Sequence, residues 1–201
     1  MHPNSAFRTD DRALLEALVT EIAFGMVFLT TPDGPRVAHV PLVFSGDGVV
    51  QFHLARGNAL TRHLSGATAL VTVNGPDGYI SPRWYSDETQ VPTWNYVSLE
   101  LEGRVRQLDE DGLLALLVAT GEQHEARVTT GGKPWTMDKT PPEKLTAMLR
   151  AIIGFELEVQ AWRPTLKLSQ NKDAAERLRV ADALDQQGNA ALASLMRGLA
   201  G

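Results

Sequence analysis

Arg56, Gly57 and Asn58 stand in immediate succession and form the strongest candidate in this chain for holding an anion. They end an alternating apolar run at residues 49–54 and precede a short helical segment at 59–64. Arg56 supplies a planar fork of N–H donors. Gly57 permits close approach of the backbone, and the start of a helical turn presents unpaired amides. That set suits a phosphate. The plainer alternative is a strand-to-helix turn with a solvated arginine, and local features weigh the two equally. His39 shares a strand face with Val37, Pro41 and Val43. A lone histidine there is more often a packed core or interface residue than a ligand.

Two further clusters combine polar and aromatic groups. Tyr79-Ile80-Ser81-Pro82-Arg83-Trp84-Tyr85 and Val91-Pro92-Thr93-Trp94-Asn95-Tyr96 hold two of the four tryptophans and all three tyrosines. Proline in each run holds the backbone extended, so the rings form either a platform for a planar ligand or partner, or a subsidiary core under a long loop. Lys167-Leu168-Ser169-Gln170-Asn171-Lys172 follows the last strand and precedes a helix. Ser169 or Asn171 is suited to cap that helix, but the segment carries more donors than capping needs.

Several common chemistries lack their residues. No Gly-x-Gly-x-x-Gly opens a helix, and Gly131-Gly132-Lys133 lacks the upstream glycine of a phosphate loop. There is no Gly-x-Ser-x-Gly elbow. His39, His53 and His63 do not have the spacing of a metal site. The absence of cysteine excludes disulfides, thiolate metal sites and a cysteine nucleophile. The net charge is -5, with Lys and Arg scattered, which weighs against a basic face for duplex DNA. The N-terminal residues have no basic start with an apolar h-region, and no apolar run approaches the roughly 18 residues of a spanning helix. A soluble, cytoplasmic protein of one domain, residues 1–201, is expected.

The elements that must position these groups follow from periodicity. Leu14, Leu15, Leu18, Val19 and Ile22 make a helical stripe, which Thr9-Asp10-Asp11 opens and Gly25 is expected to close. Strands are predicted at 26–31, 36–44, 49–54 and 68–74, separated by the turns at 32–35 and 45–48. Gly75-Pro76-Asp77-Gly78 is expected to break the last of these. Residues 97–108 alternate most clearly, with Gly103 suggesting a bulge or bend. Helices are predicted from 109 to about 125 and from 141 to 151, then a strand with Phe155, Leu157, Val159 and Ala161. A helical segment over about 172–199, broken at Gly188-Asn189, completes the chain. About six strands joined by short turns, with peripheral helices, predict a β-rich α+β fold, a small antiparallel split or closed barrel.

The order and spacing of His53-Leu54-Ala55-Arg56-Gly57-Asn58, the two aromatic runs, Ile153-Gly154-Phe155-Glu156 and Lys167-Leu168-Ser169-Gln170-Asn171 resemble the successive motifs of the PaiB family, over residues 1–184. The resemblance implies an FMN-binding split barrel, a homodimer with FMN in a groove between subunits, and a role as negative transcriptional regulator. DNA as a partner follows from the family name alone. The chain departs from the family at Ala59, where proline commonly follows the asparagine. On this reading Arg56 and Asn58 hold the FMN phosphate. The isoalloxazine lies against His39, Pro41 and Leu54, with Trp94 and Asn95 near the groove. Lys167, Ser169, Gln170 and Asn171 close it from either subunit. An FMN-dependent oxidoreductase and a haem-binding split barrel, with His39 or His53 as axial ligand, are the alternatives.

Overall fold

The computed structural model describes residues 3–87 and 89–198. They gather into two compact units. The sheet unit comprises Glu16–Val73 and Leu101–Trp162; the terminal unit comprises the residues up to Leu15, Asn74–Glu100, and those from Arg163 onward.

Helix α1 (Arg12–Ile22), whose residues from Glu16 onward belong to the sheet unit, leads into strand β1 (Phe24–Thr31). Asp11 receives the Leu14 N–H at its carboxylate, and the buried stripe narrows to Leu15 and Val19. The helix closes at Ala23 rather than Gly25. Ala23 adopts φ 52° and gives its carbonyl to the Leu42 N–H at 2.9 Å. Gly25 is needed for space instead: a Cβ there would lie 2.6 Å from Leu42 Cδ1 and 2.7 Å from the Thr72 carbonyl oxygen.

The strands that follow are β2 (Gly34–Pro41), β3 (Val43–Gly46), β4 (Val49–Ala55), β5 (Thr68–Ile80), β6 (Thr93–Gln107) and β7 (Ile152–Lys167). The sheet is antiparallel and seven-stranded, in the order β2-β1-β5-β6-β7-β4-β3, and it does not close. β2 nevertheless lies against β4, so the sheet curls toward itself. The run predicted at 36–44 is two strands because it breaks at Leu42, whose side chain is fully buried. Strand alternation fills the interior with Val27, Val40, Val50, Phe52, Val71, Leu101, Phe155 and Leu157. Phe52 and Phe155 stack with ring centroids 5.8 Å apart. Gly103 lets β6 cross β7 closely: a Cβ would fall 1.9 Å from the Glu158 carbonyl oxygen. Helix α2 (Thr61–Leu64) follows β4. Helix α3 (Glu110–Glu125) is capped by Asp109, which accepts the Gly112 N–H at 2.8 Å, and packs Leu116 onto Val43. Helix α4 (Pro142–Arg150) begins on proline, as expected.

In the terminal unit, the far ends of β5, β6 and β7 meet helices α5 (Ala174–Gln186) and α6 (Ala190–Gly198). β5 runs straight through Gly75-Pro76-Asp77-Gly78, where a turn was expected. Tertiary bonds outweigh the turn propensity: the Asp77 carboxylate accepts the Trp94 Nε1–H at 2.9 Å, and its carbonyl accepts Asn189 Nδ2 at 2.8 Å. Asp173 caps α5 by accepting the Glu176 N–H at 2.8 Å, so neither Ser169 nor Asn171 has that task. The predicted break at Gly188-Asn189 separates α5 from α6, and residue 199 lies outside the described residues.

Candidate functional site

The sequence-derived candidates fall into two groups, one in each unit. In the sheet unit, Arg56 follows the end of β4 and borders a cleft of about 530 Å³ with Asp109, Glu110, Thr146, Leu149 and Arg150. Its Nε donates to the Arg150 carbonyl at 3.0 Å, and its second terminal nitrogen reaches the Ile152 carbonyl at 3.4 Å. Arg56 thus binds the last carbonyl of α4, a favourable place for a cation. A guanidinium has five donors, so this leaves capacity for an anion. Asn58 Oδ1 accepts the Leu60 N–H at 2.9 Å, shaping the turn into α2. Its amide N–H groups are the part suited to a phosphate.

His39 lies on the wet face of β2. The antiparallel register sets Val37 beside Phe28, His39 beside Met26, and Pro41 beside Phe24. Phe24 is 51% exposed and Val37 45%. The two strands therefore present an apolar surface with one imidazole in it, while Ala38 and Val40 face the core. Leu54 points the other way, into the core with Phe52. His53, on the face opposite Leu54, is half-buried, and this burial lowers its pKa below 6.5 by disfavouring the imidazolium.

In the terminal unit, Asn95, Lys167, Ser169 and Asn171 come together around a second cleft, of about 280 Å³. Tyr85, Thr93 and Lys172, from the same candidate clusters, share its walls with Gln90, which lies outside them. Lys167 Nζ donates to Thr93 Oγ1 and to the Trp94 carbonyl. Burial lowers its pKa from 10.5. Asn95 is 1% exposed; its Nδ2 donates to Ser169 Oγ at 2.9 Å and approaches Met196 Sδ at 3.5 Å. Ser169 is buried at φ 62°. Gln170 is turned away: its side chain bonds the Leu168 N–H and the Leu166 carbonyl of its own segment. Trp94 is 49% exposed and meets Tyr79 edge-on at 6.2 Å, so the aromatic runs make an exposed platform there, while Tyr85 is buried. Proximity in sequence hid Tyr85 and Lys172 among neighbours; their meeting, with Lys172 Nζ 5.5 Å from the Tyr85 ring centre, is a tertiary fact.

The residues of the sheet unit fit a flavin mononucleotide by donor chemistry. A phosphate needs cationic and amide donors, which Arg56 and Asn58 carry, and a three-ring heterocycle needs flat apolar surface, which β1 and β2 expose.

Comparisons with known proteins agree on the fold. Residues 1–161 match the family model described as "Putative FMN-binding domain". The protein "Protease synthase and sporulation protein PAI 2" of Bacillus subtilis (strain 168) is 33% identical over 175 residues, covering 85% of this chain and 83% of its own. Among solved structures, the FAD and haem binding protein from Mycobacterium smegmatis superposes with a TM-score of 0.61 at 21% identity, over 85% of this chain and 78% of that one. The flavocytochrome Anf3 from Azotobacter vinelandii gives 0.54 at 16% identity, over 82% and 74%. No helix among the described residues is long and apolar enough to cross a membrane. With a family model spanning most of its length and a relative of one-third identity, the chain belongs to the PaiB family of flavin-binding split-barrel proteins.

Proposed function

We propose that this protein is a cytoplasmic, FMN-binding homodimer whose output is control of gene expression. The observation that carries the flavin and dimer reading is the row of cross-strand pairs on β1 and β2. Phe24 with Pro41, Met26 with His39, and Phe28 with Val37 leave apolar side chains on the wet side of the sheet. An exposed apolar sheet face of this kind is a surface for a flat ligand and a second subunit. Arg56 and Asn58 take the phosphate, and His39 and Pro41 take the ring system, with donors at the ring edge tuning its potential. Leu54 supports that wall from inside the core. The regulatory output rests on the PaiB family resemblance; the Bacillus subtilis relative is named for protease synthesis and sporulation. FMN, when bound, supplies reversible one- or two-electron chemistry.

The test is an absorbance spectrum of freshly purified protein between 350 and 500 nm, with mass spectrometry of whatever heat releases and light scattering for the subunit number. Flavin bands, FMN in the released fraction and a dimer are expected. A Soret band would favour haem over flavin, and a monomer without flavin would overturn the reading. Arg56→Ala should weaken FMN retention about tenfold or more, as loss of a charge-assisted bond of about 1.5–3 kcal/mol implies. Retention unchanged beside a lowered melting temperature would leave Arg56 with its capping role alone. Sequence-specific DNA retention that falls steeply with salt tests the regulatory output; bleaching of the flavin by NAD(P)H in its place would favour an oxidoreductase.

A further inference from the structure

Three successive carbonyls at the junction of α4 and β7 accept hydrogen bonds from Arg56 alone. Its backbone N–H donates to Ala151 at 2.8 Å, its Nε to Arg150 at 3.0 Å, and its second terminal nitrogen to Ile152 at 3.4 Å. The two side-chain bonds use the guanidinium edge that carries Nε. The edge formed by the two terminal nitrogens is left over, and such an edge grips a phosphate with two parallel N–H bonds. Arg56 is exposed and borders the cleft of about 530 Å³ together with Thr146 and Leu149 of α4. Helix α4 has little else to hold it. It contains no buried residue: Leu145 and Leu149 are half-buried, and Met148 is 55% exposed. None of residues 126–151 is buried. An element with so little apolar burial opens locally at low cost, so the clasp at Arg56 counts for much of its docking.

We propose that α4 is the positioning element of the phosphate site and that the two are coupled: α4 in place holds Arg56 ready for a phosphate, and a phosphate at Arg56 pins α4 to the sheet. This rests on the flavin reading and names how occupancy of that site is passed to a surface helix. The rotamers of a long arginine side chain are costly to freeze. With α4 docked, the Arg150 and Ile152 carbonyls freeze them before the ligand arrives. With α4 released, the ligand bears that cost. A phosphate therefore binds the docked state better, and by linkage it favours docking by the same factor. The guanidinium lies between the carbonyl end of a helix and the anion, and attracts both. The coupling answers to a terminal phosphate. Riboflavin, with the same ring system and no phosphate, does not work it.

The test is hydrogen exchange by mass spectrometry on the full-length protein, alone and with FMN, riboflavin or inorganic phosphate, with chloride at matched ionic strength as the control. FMN should slow exchange of the amides of residues 145–151 by about tenfold, phosphate should slow it in the same place, and riboflavin should leave it unchanged. Ala147→Pro breaks α4 at an exposed residue outside the cleft lining. It should weaken FMN by about tenfold and leave riboflavin affinity unchanged, both read by flavin fluorescence. If Ala147→Pro does not fold by near-ultraviolet circular dichroism, Ala147→Gly should shift the ratio of FMN to riboflavin affinity in the same direction by a smaller factor. Arg56→Lys keeps the charge without the fork; it should speed α4 exchange in the free protein and abolish the response to FMN. Bound FMN that leaves α4 exchange unchanged overturns the proposal, and so does equal slowing by riboflavin or an Ala147 variant that weakens both flavins alike. A protein that takes up no flavin defeats the flavin reading, and the phosphate arm then decides this one: slowed exchange in α4 upholds the coupling, and unchanged exchange overturns it.

Discussion

Among the described residues, the terminal unit buries more polar side chains than the sheet unit, although it is the smaller of the two. Thr31 and Thr61 are the buried polar residues of the sheet unit, and each hydroxyl donates to a nearby carbonyl, of Gly34 at 2.8 Å and Ala55 at 2.9 Å. The terminal unit buries Asn95, Thr165, Ser169 and Arg177. Burying such groups costs stability unless each is paired; Asn95 Oδ1 in the terminal unit and Thr72 Oγ1 in the sheet unit both lack a partner. The contrast teaches that polar groups inside this molecule are concentrated beside the C-terminal helices, where each needs a partner to offset its burial. The sheet unit is a packed support around Phe52 and Phe155.

The sharpest way to break this comparison is Phe52→Ala, which removes a fully buried ring stacked on Phe155. It should cost about 3–5 kcal/mol in a denaturant titration; a loss below 1 would mean that the sheet unit is not the packed support inferred here. Gly103→Ala should cost about 3 kcal/mol, because its methyl cannot coexist with the Glu158 carbonyl. Calorimetry of that variant showing an unchanged melting temperature would mean the two strands separate easily. The helix caps compare the units on equal terms: Asp109→Ala and Asp173→Ala should each lose about 1 kcal/mol. In the terminal unit, the double variant Asn95→Leu with Ser169→Gly removes both partners of one bond together with the left-handed serine. Its stability should change by less than about 1 kcal/mol in a denaturant titration. A large destabilisation would make these residues structural.

The smallest effect concerns pH. His53 has its pKa lowered by burial, so the unfolded chain binds more protons than the folded one between that lowered value and 6.5. Its contribution is present above 6.5 and fades as the pH falls through the folded value. His53→Gln should flatten this slope, seen as a smaller change in denaturant midpoint between neutral and mildly acidic buffer.

Local rules carried the fold a long way. The alternation at 97–108 belongs to β6, the stripe at Leu15 and Val19 to α1, and the split barrel follows from short turns between successive strands. They failed where distant contacts overrule propensity. Nothing local reveals that Trp94 and Asn189 will hold Asp77 inside a strand, or that Ala23 will accept a left-handed conformation so that Gly25 can pack beneath Leu42. The candidate site divides the same way. The donor-rich types were legible in Arg56-Gly57-Asn58 and in Lys167-Leu168-Ser169. Their partners were not: Arg56 meets a carbonyl 94 residues away, and Asn95 meets Ser169 across 74. Gln170 looked like its neighbours in sequence and turned back on its own backbone instead.

Gly103 has a consequence for how the chain finds its fold. Where β6 passes over the Glu158 carbonyl, there is room for a hydrogen and nothing larger. A slip of one residue would bring Glu102 or Arg104 to that crossing and collide with the backbone of β7. The missing side chain therefore works as a keyway: it admits one alignment of two long strands and rejects its neighbours by shape alone, before any side chain has found its place.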